Sequence, residues 1–261
     1  MDHHLLETYA HENALRQVNP QLKLVLGLGL MLLALAASAP AALVLVLAAA
    51  AGLTVCAARI PVGLYLRVLA VPAGFVVVSS ALLVVLTQGG AVLGGVDLPF
   101  VRLTVTEAGL ALGLVQGLRS FAGMAALLFV AMTTPMVSLF STARRLGVPA
   151  VIVDLAMLIY RFIFVLLDEA SSVLDAQTSR LAYGRPRGSV QAFSMLAGAV
   201  FLRAWRSADE LVLAMDARCY DGQLEPSTEQ PALRLPHVLG AAAVLGPLLL
   251  AVALWPAGGG P

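Results

Sequence analysis

The chain has 261 residues, of which 60% are hydrophobic and 12% charged, with a mean hydropathy of +0.91 and a formal net charge of +1. A soluble domain carries roughly 25% charged residues, so this composition excludes an ordinary soluble domain and points to a polytopic membrane protein. The near-zero net charge offers nothing to a nucleic acid. Arginine supplies 15 of the 16 basic residues, and Lys23 is the single lysine. The two cysteines, Cys56 and Cys219, form neither a CxxC pair nor a disulfide framework.

Residues 1–21 are polar and amphipathic, with Leu5, Leu6, Tyr9, Leu15 and Val18 expected on the membrane surface. Leu22–Ala37 is the first predicted span. Pro40 breaks it, and Ala41–Ala58 makes a second, so the two form a tight helical hairpin. Leu24–Leu35 followed by Ala37-Ser38-Ala39 imitates a secretory leader. A leader needs a positive first region, whereas Asp2, Glu7 and Glu12 outweigh Arg16 and Lys23, so a retained helix is expected. Arg59 and Arg67 precede a third span, Val68–Thr87. Gln88–Thr106 is a connection rich in glycine, in which the alternating run Val101–Val105 predicts a small strand-like turn. Glu107–Thr134 is the fourth span, with Arg119 near its middle. An ionised group there costs at least ~2.5 kcal/mol unless it finds a partner or a water-filled cavity. Two readings stay open for Arg119: an intramembrane contact to another subunit, or bonding to backbone carbonyls inside the bundle. Gly113, Gly117, Ser120 and Gly123 give the same run a small-residue face for close packing.

The character changes at residue 135. Residues 135–236 hold ten arginines and ten acids, against six basic and five acidic residues elsewhere. The chain therefore divides into an N-terminal membrane region (1–134), a cytoplasmic or interfacial coupling region (135–236), and a last membrane helix with its tail (237–261). Val151–Leu167 is apolar, but Asp154, Arg161, Asp168 and Asp175 recur every seven positions and make one polar stripe. This long helix is expected at the membrane boundary or against other helices, with a buried span as the alternative. It stops near Gly184 and Pro186. A second helix runs over about Val190–Leu202 and continues or restarts through Ala217. In it Phe201, Trp205, Ala208, Val212, Met215 and Cys219 form one apolar stripe, and Arg206 and Glu210 form an i, i+4 pair on the wet side. His237–Trp255 is the last span. Arginine and lysine counts in the short loops put the N-terminus and residues 135–236 inside. The fold class is all-α: a polytopic helix bundle of about five spans in the cell (inner) membrane, with long amphipathic helices on the cytoplasmic side.

No enzyme constellation is present. Lys23 has no glycine at phosphate-loop spacing, and HExxH and GxSxG are missing. The acids Asp168, Glu169 and Asp175 read as a solvated or paired face before they read as a Mg²⁺ site. His3, His4 and His11 could chelate a metal, but a lone histidine cluster in a tail is usually only polar. No catalytic residue, cofactor site or metal ligand is assigned to this chain.

Two arginine segments close the two charged helices: Asp175-Ala176-Gln177-Thr178-Ser179-Arg180-Leu181 and Met215-Asp216-Ala217-Arg218-Cys219-Tyr220-Asp221-Gly222. Alone, each arginine is a helix-end cation favoured by the macrodipole. As a pair they suit two equivalent grips on a two-fold partner, and the planar fork of arginine suits a groove better than lysine does. At these residues the chain resembles the transmembrane (T) component of energy-coupling-factor transporters, most closely the cobalt branch of CbiQ-like proteins. Thr8-Tyr9-Ala10 and Asn19-Pro20-Gln21-Leu22-Lys23, Arg144-Arg145-Leu146-Gly147-Val148-Pro149 and Tyr160-Arg161-Phe162 extend the resemblance over nearly the whole chain. The family's typical triplet is Ala-Arg-Gly or Ala-Arg-Ser; here the triplets are Ser179-Arg180-Leu181 and Ala217-Arg218-Cys219.

The resemblance implies a non-catalytic coupling subunit of an ATP-driven cobalt or nickel importer. Its partners would be two copies of a cytoplasmic ATPase subunit, which bind the ATP and Mg²⁺, and a membrane subunit that captures the metal. Ser179, Arg180, Leu181, Ala217, Arg218 and Cys219 would form the ATPase interface. The rivals are a stand-alone secondary transporter, which would need more ionisable residues along a central path, and a membrane enzyme built on Asp168, Glu169 and Asp175.

Overall fold

A computed structural model describes residues 13–87, 89–97, 102–220 and 231–254. A 3₁₀ turn, Ala14–Gln17, leads into α1 (Pro20–Ala36) and α2 (Pro40–Gly52), the latter ending in a π turn, Leu53–Ala57. Then come α3 (Val62–Leu86), β1 (Val92–Asp97), β2 (Arg102–Thr106), α4 (Glu107–Thr133), α5 (Met136–Arg145), α6 (Ala150–Ser179), α7 (Pro186–Asp216) and α8 (Leu235–Leu254). Local chemistry sets the starts. Proline opens α1, α2 and α7, where its missing N–H costs nothing. The Asn19 side chain caps α1 by accepting from the Gln21 N–H at 2.9 Å. Thr106 caps α4, accepting from the Gly109 N–H while donating to the Thr87 carbonyl at 2.9 Å.

Among the described residues five helices are long and apolar enough to cross a membrane: α2 with its π turn, α3, α4, α6 and α8. The number matches expectation and the membership differs. The run expected as the first span is α1, a 17-residue helix that Pro40 cuts short. Ala150–Ser179, at 30 residues, is itself long enough to span. The third helix begins at Val62 rather than Val68, because Pro61 supplies the start and Arg67 continues the helix. The strand-like turn is real and has a partner: β1 and β2 pair antiparallel, with Val92 opposite Thr106 and Asp97 opposite Arg102.

The chain forms two compact units, residues 1–139 with 229–261, and residues 140–228. In the first, α4 is the hub and packs against α1, α2 and α3, while α8 packs on α1 and α2. The core is built from Leu30, Ala34, Val46, Ala122, Ala126 and Phe129, all almost fully buried. Leu15 packs into this core instead of lying on the membrane surface, because the 3₁₀ turn folds it inward. Val18 is half-buried, and Leu5, Leu6 and Tyr9 fall outside the described residues.

The small-residue face of α4 is Gly109, Gly113 and Gly117, four residues apart, lying against Ser80 and Val84 of α3 and its C-cap Thr87. Gly123, expected on the same face, has nothing within 4 Å of a side chain built there, since it lies six residues past Gly117 and the helix has turned away.

In the second unit α6 packs against α7. Helix α6 ends at Ser179, before Gly184, and α7 is continuous through Arg203-Ala204-Trp205, where no helix breaker occurs. Among the described residues the Arg206–Glu210 pair is not closed as an ion pair; the one recorded joins Arg144 to Asp154.

The α3–α4 contact is testable at one glycine. A Cβ at Gly109 would sit 2.5 Å from the Val84 carbonyl and 2.9 Å from that of Thr87. Gly109→Ala is expected to destabilise the bundle by about 1–3 kcal/mol, whereas Gly123→Ala is expected to be neutral or stabilising. Thermal unfolding of the two variants in the same detergent checks this.

Candidate functional site

The two arginine segments fold alike. In α6 the helix ends with Arg180 at the C-cap, and Leu181 takes φ +57°. The Leu181 N–H donates to the Thr178 carbonyl (2.9 Å), and the Ala182 N–H to that of Gln177 (3.1 Å). At the end of α7 Cys219 takes φ +54°. There the Cys219 N–H donates to the Asp216 carbonyl (3.0 Å), and the Tyr220 N–H to that of Met215 (3.1 Å). Both are Schellman ends, in which a left-handed residue turns the chain back so that the last carbonyls are satisfied. In each, the arginine is the residue just before the left-handed one.

A third end of this type closes α5 and shows what the geometry ordinarily requires. The Val148 N–H donates to the Ala143 carbonyl and the Gly147 N–H to that of Arg144, and the left-handed position is a glycine, φ +93°. A side chain in that conformation costs about 1–2 kcal/mol. The chain thus keeps the strained turn after both Arg180 and Arg218 without the residue that would relieve it. With Leu181 and Cys219 in the left-handed position, both turns keep the Schellman hydrogen bonds.

The arginines are free to meet a partner. Both are exposed. Among the described residues Arg180 makes no side-chain hydrogen bond or ion pair, and Arg218 only folds back onto the Ala214 carbonyl of its own helix at 2.9 Å. Ser179 is likewise self-satisfied, donating to the Asp175 carbonyl at 2.9 Å. Leu181 is 84% exposed, an unusual setting for a large apolar side chain. The arginines are not neighbours. Helix α7 has 31 residues, so about 45 Å of helix separates its start, beside Arg180, from its end at Arg218.

What holds the α6–α7 turn is a pair of residues that sequence reasoning did not single out. Gln177 donates from Nε2 to the Ala192 carbonyl of α7 at 3.0 Å and accepts at Oε1 from the Tyr183 hydroxyl at 2.6 Å. Ser189 donates to the Tyr183 carbonyl at 3.3 Å. A cleft of about 630 Å³ opens beside this turn, bounded by Ser172, Ala176, Gln177, Arg180, Gln191 and Met195. Gln177 lies within the first segment, next to the residues that were singled out. Its role was hidden because its partners come from the turn and the following helix.

The polar stripe on α6 is not uniform. Asp154 is 3% exposed and pairs with Arg144 at 3.5 Å, tying the start of α6 to the end of α5, whereas Arg161, Asp168 and Asp175 are exposed. Phe201, Trp205 and Val212 of the apolar stripe on α7 are also exposed, so this stripe is left uncovered.

Arg119, in the middle of α4, donates from Nη2 to the Ala37 carbonyl at 3.0 Å, and its Nη1 lies 3.5 Å from Gln116 Oε1. Ala37 is the C-cap of α1, so Arg119 places its cation at the negative end of that helix. Its Nε is buried and makes no hydrogen bond. No three His, Cys, Asp or Glu side chains converge among the described residues, so Asp168, Glu169 and Asp175 are not gathered into a metal-holding group. His3, His4 and His11 lie outside the described residues.

Comparison with protein families matches residues 11–229 to CbiQ, described as cobalt transport protein. The chain is 32% identical over 198 residues to the cobalt transport protein CbiQ of Rhodobacter capsulatus, covering 76% of each. It is also 32% identical over 193 residues to the energy-coupling factor transporter transmembrane protein EcfT of Ruminiclostridium cellulolyticum, covering 70% of each. A putative fused cobalt transport protein CbiMQ from Methanocorpusculum labreanum is 33% identical over 226 residues, 85% of this chain and 37% of that longer protein.

The strain at the two ends is measurable. Leu181→Gly and Cys219→Gly are each expected to raise stability by about 1 kcal/mol by relieving the left-handed conformation, and Gly147→Ala to lower it by a similar amount. Thermal unfolding of the full-length chain distinguishes the three.

Proposed function

The chain belongs to the CbiQ family of cobalt transport proteins, and from this we propose that it is the coupling subunit of an ATP-driven cobalt importer. In this reading the membrane helices hold a substrate-capture subunit. The helix ends that carry Arg180 and Arg218 lie on the cytoplasmic side, where two ATPase subunits grip them. The observation that carries the reading is the matched pair of strained Schellman ends, each presenting an exposed arginine and set about one α7 length apart. A single binding partner would have no use for two identical ends so far apart, whereas a pair of like subunits has one groove for each.

The chemistry of force transfer follows from these parts. A guanidinium seated in a groove donates several hydrogen bonds in fixed directions, so it transmits a push or a pull that a lone ammonium would let slip. The Schellman turns occupy the carbonyls of Gln177 and Thr178 in α6 and of Met215 and Asp216 in α7, and Arg218 exchanges its bond to the Ala214 carbonyl for the groove. The Gln177–Tyr183–Ala192 network braces α6 against α7, so that movement of one end is carried into the helix pair. The relatives named as cobalt transport proteins support cobalt as the cargo. The relative named as an energy-coupling factor transporter transmembrane protein supports a partner that supplies the energy. The metal is cargo held by the capture subunit, so no ligand set is assigned to this chain.

The test is co-expression of the chain with its ATPase and capture subunits. Arg180→Ala with Arg218→Ala is expected to leave membrane insertion intact, while recovery of the ATPase subunits and ATP-dependent cobalt uptake fall by more than about tenfold, as loss of a buried arginine anchor implies. Unchanged recovery and uptake would overturn the anchor role. Cobalt transport by the chain alone in sealed vesicles would instead favour a stand-alone secondary transporter.

A further inference from the structure

Two clefts adjoin in the unit formed by residues 1–139 and 229–261, at the point where α1 and α8 begin. The inner one, of about 250 Å³, is apolar, with Leu22, Leu26, Phe129 and Val244 in its wall, together with Lys23 and His237. The outer one, of about 470 Å³, is lined by Arg16, Gln17, Pro231, Ala232 and Arg234. The same two chain segments bound both: Leu15 and Val18 of the inner cleft flank Arg16 and Gln17 of the outer, and Arg234 precedes Pro236 and His237. Asn19 clasps these segments together by donating from Nδ2 to the Pro231 carbonyl at 2.8 Å.

The charge is one-sided. Arg16, Lys23, Arg234 and His237 line the two clefts, and no aspartate or glutamate does among the described residues. Lys23, the only lysine of the chain, is 3% exposed. Its Nζ bonds to the Thr133 carbonyl at 2.8 Å, and among the described residues it has no carboxylate partner. The Nδ1 of His237 is buried without a hydrogen-bond partner among the described residues. These groups stand at the start of two apolar helices. Lys23 is in the first turn of α1 and His237 in the first turn of α8, and the two helices run side by side from there, with Gly29 against Leu245.

We propose that this pair of clefts binds one anionic phospholipid. Its phosphate lies against Arg16 and Arg234, and part of one acyl chain enters the apolar cleft between α1 and α8. A basic pocket between membrane helices at the headgroup level is the arrangement that holds anionic headgroups in place. An apolar recess bounded by the same two segments distinguishes a two-part lipid from a free anion. A zwitterionic lipid fits the recess equally well but gains less from four cationic or protonatable groups with no acid among the described lining residues. The site does not depend on the coupling role, because it involves neither Arg180 nor Arg218.

The test uses the full-length chain purified in detergent and titrated with phosphatidylglycerol or phosphatidylcholine. Bound lipid is read by native mass spectrometry and stability by thermal unfolding. One retained phosphatidylglycerol per chain, with a rise in Tm that phosphatidylcholine does not give, is the expected result. Arg16→Gln with Arg234→Gln removes the headgroup charge at exposed positions and should lower retention about tenfold. Gly240→Leu fills the inner cleft, since a Cβ at Gly240 meets nothing within 4 Å, and should lower retention with every charge intact. Equal retention of the two lipids, or retention that neither variant changes, overturns the proposal. So does an equal rise in Tm with inorganic phosphate alone, which would make the site one for a free anion.

Discussion

A helix in hydrocarbon must satisfy its backbone within the protein, because no water is there to do it. The structure meets that constraint at the ends of α1 and α4. The Thr133 carbonyl, at the last residue of α4, accepts from Lys23 Nζ at 2.8 Å and from Asn13 Nδ2 at 3.2 Å, all three residues being buried. The C-cap carbonyl of α1, at Ala37, accepts from Arg119. Each of the two helices therefore supplies a cation to the negative end of the other, and the two are locked antiparallel. The remaining contacts of this unit gather around α4, whose glycines admit α3 and whose alanines admit α1 and α2.

That reciprocal lock explains why so apolar a chain tolerates two cations inside its bundle. A buried charge without a carboxylate partner is costly, and carbonyl dipoles at a helix end are the cheapest neutral partner available. It also gives α1 a reason to be short. A helix ended at Ala36 puts its open carbonyls level with Arg119, midway along the 27 residues of α4.

The unit of residues 140–228 obeys a different rule. Its helices are long and leave wide apolar faces uncovered, and each of the two longest ends in a turn that a glycine would adopt more easily than the residue present. Strain of this kind persists where the surrounding structure over-determines it, and such positions concentrate where something else is bound. The exposed stripe of Phe201, Trp205 and Val212 has the same meaning in apolar terms, since a surface patch of that composition calls for a partner or a membrane. The Gln177–Tyr183–Ala192 bridge stiffens the pair at the one point where α6 and α7 are joined by chain.

The amino-acid sequence by itself determined the class of the protein, most helix positions, and the two arginine segments, because hydropathy, Pro and Gly stops and a local triplet are all written in consecutive residues. It also pointed to the strand Arg102–Thr106, to within one residue, and to Gly113 and Gly117 of α4. Gly109 was missed and Gly123 wrongly included, because which side of α4 meets α3 depends on how the helices are rotated against each other. Only tertiary structure decided the partners of Arg119, Lys23 and Asp154, the inward fold of Leu15, and the bracing role of Gln177. These partners lie on other elements, up to 110 residues away for Lys23 and Thr133, and nothing in local periodicity encodes such a contact. The left-handed turns at Leu181 and Cys219 fall between the two. The helix stop is local, but keeping an apolar or sulfur side chain in a glycine-like conformation requires two closing hydrogen bonds that become visible only once the chain has folded back.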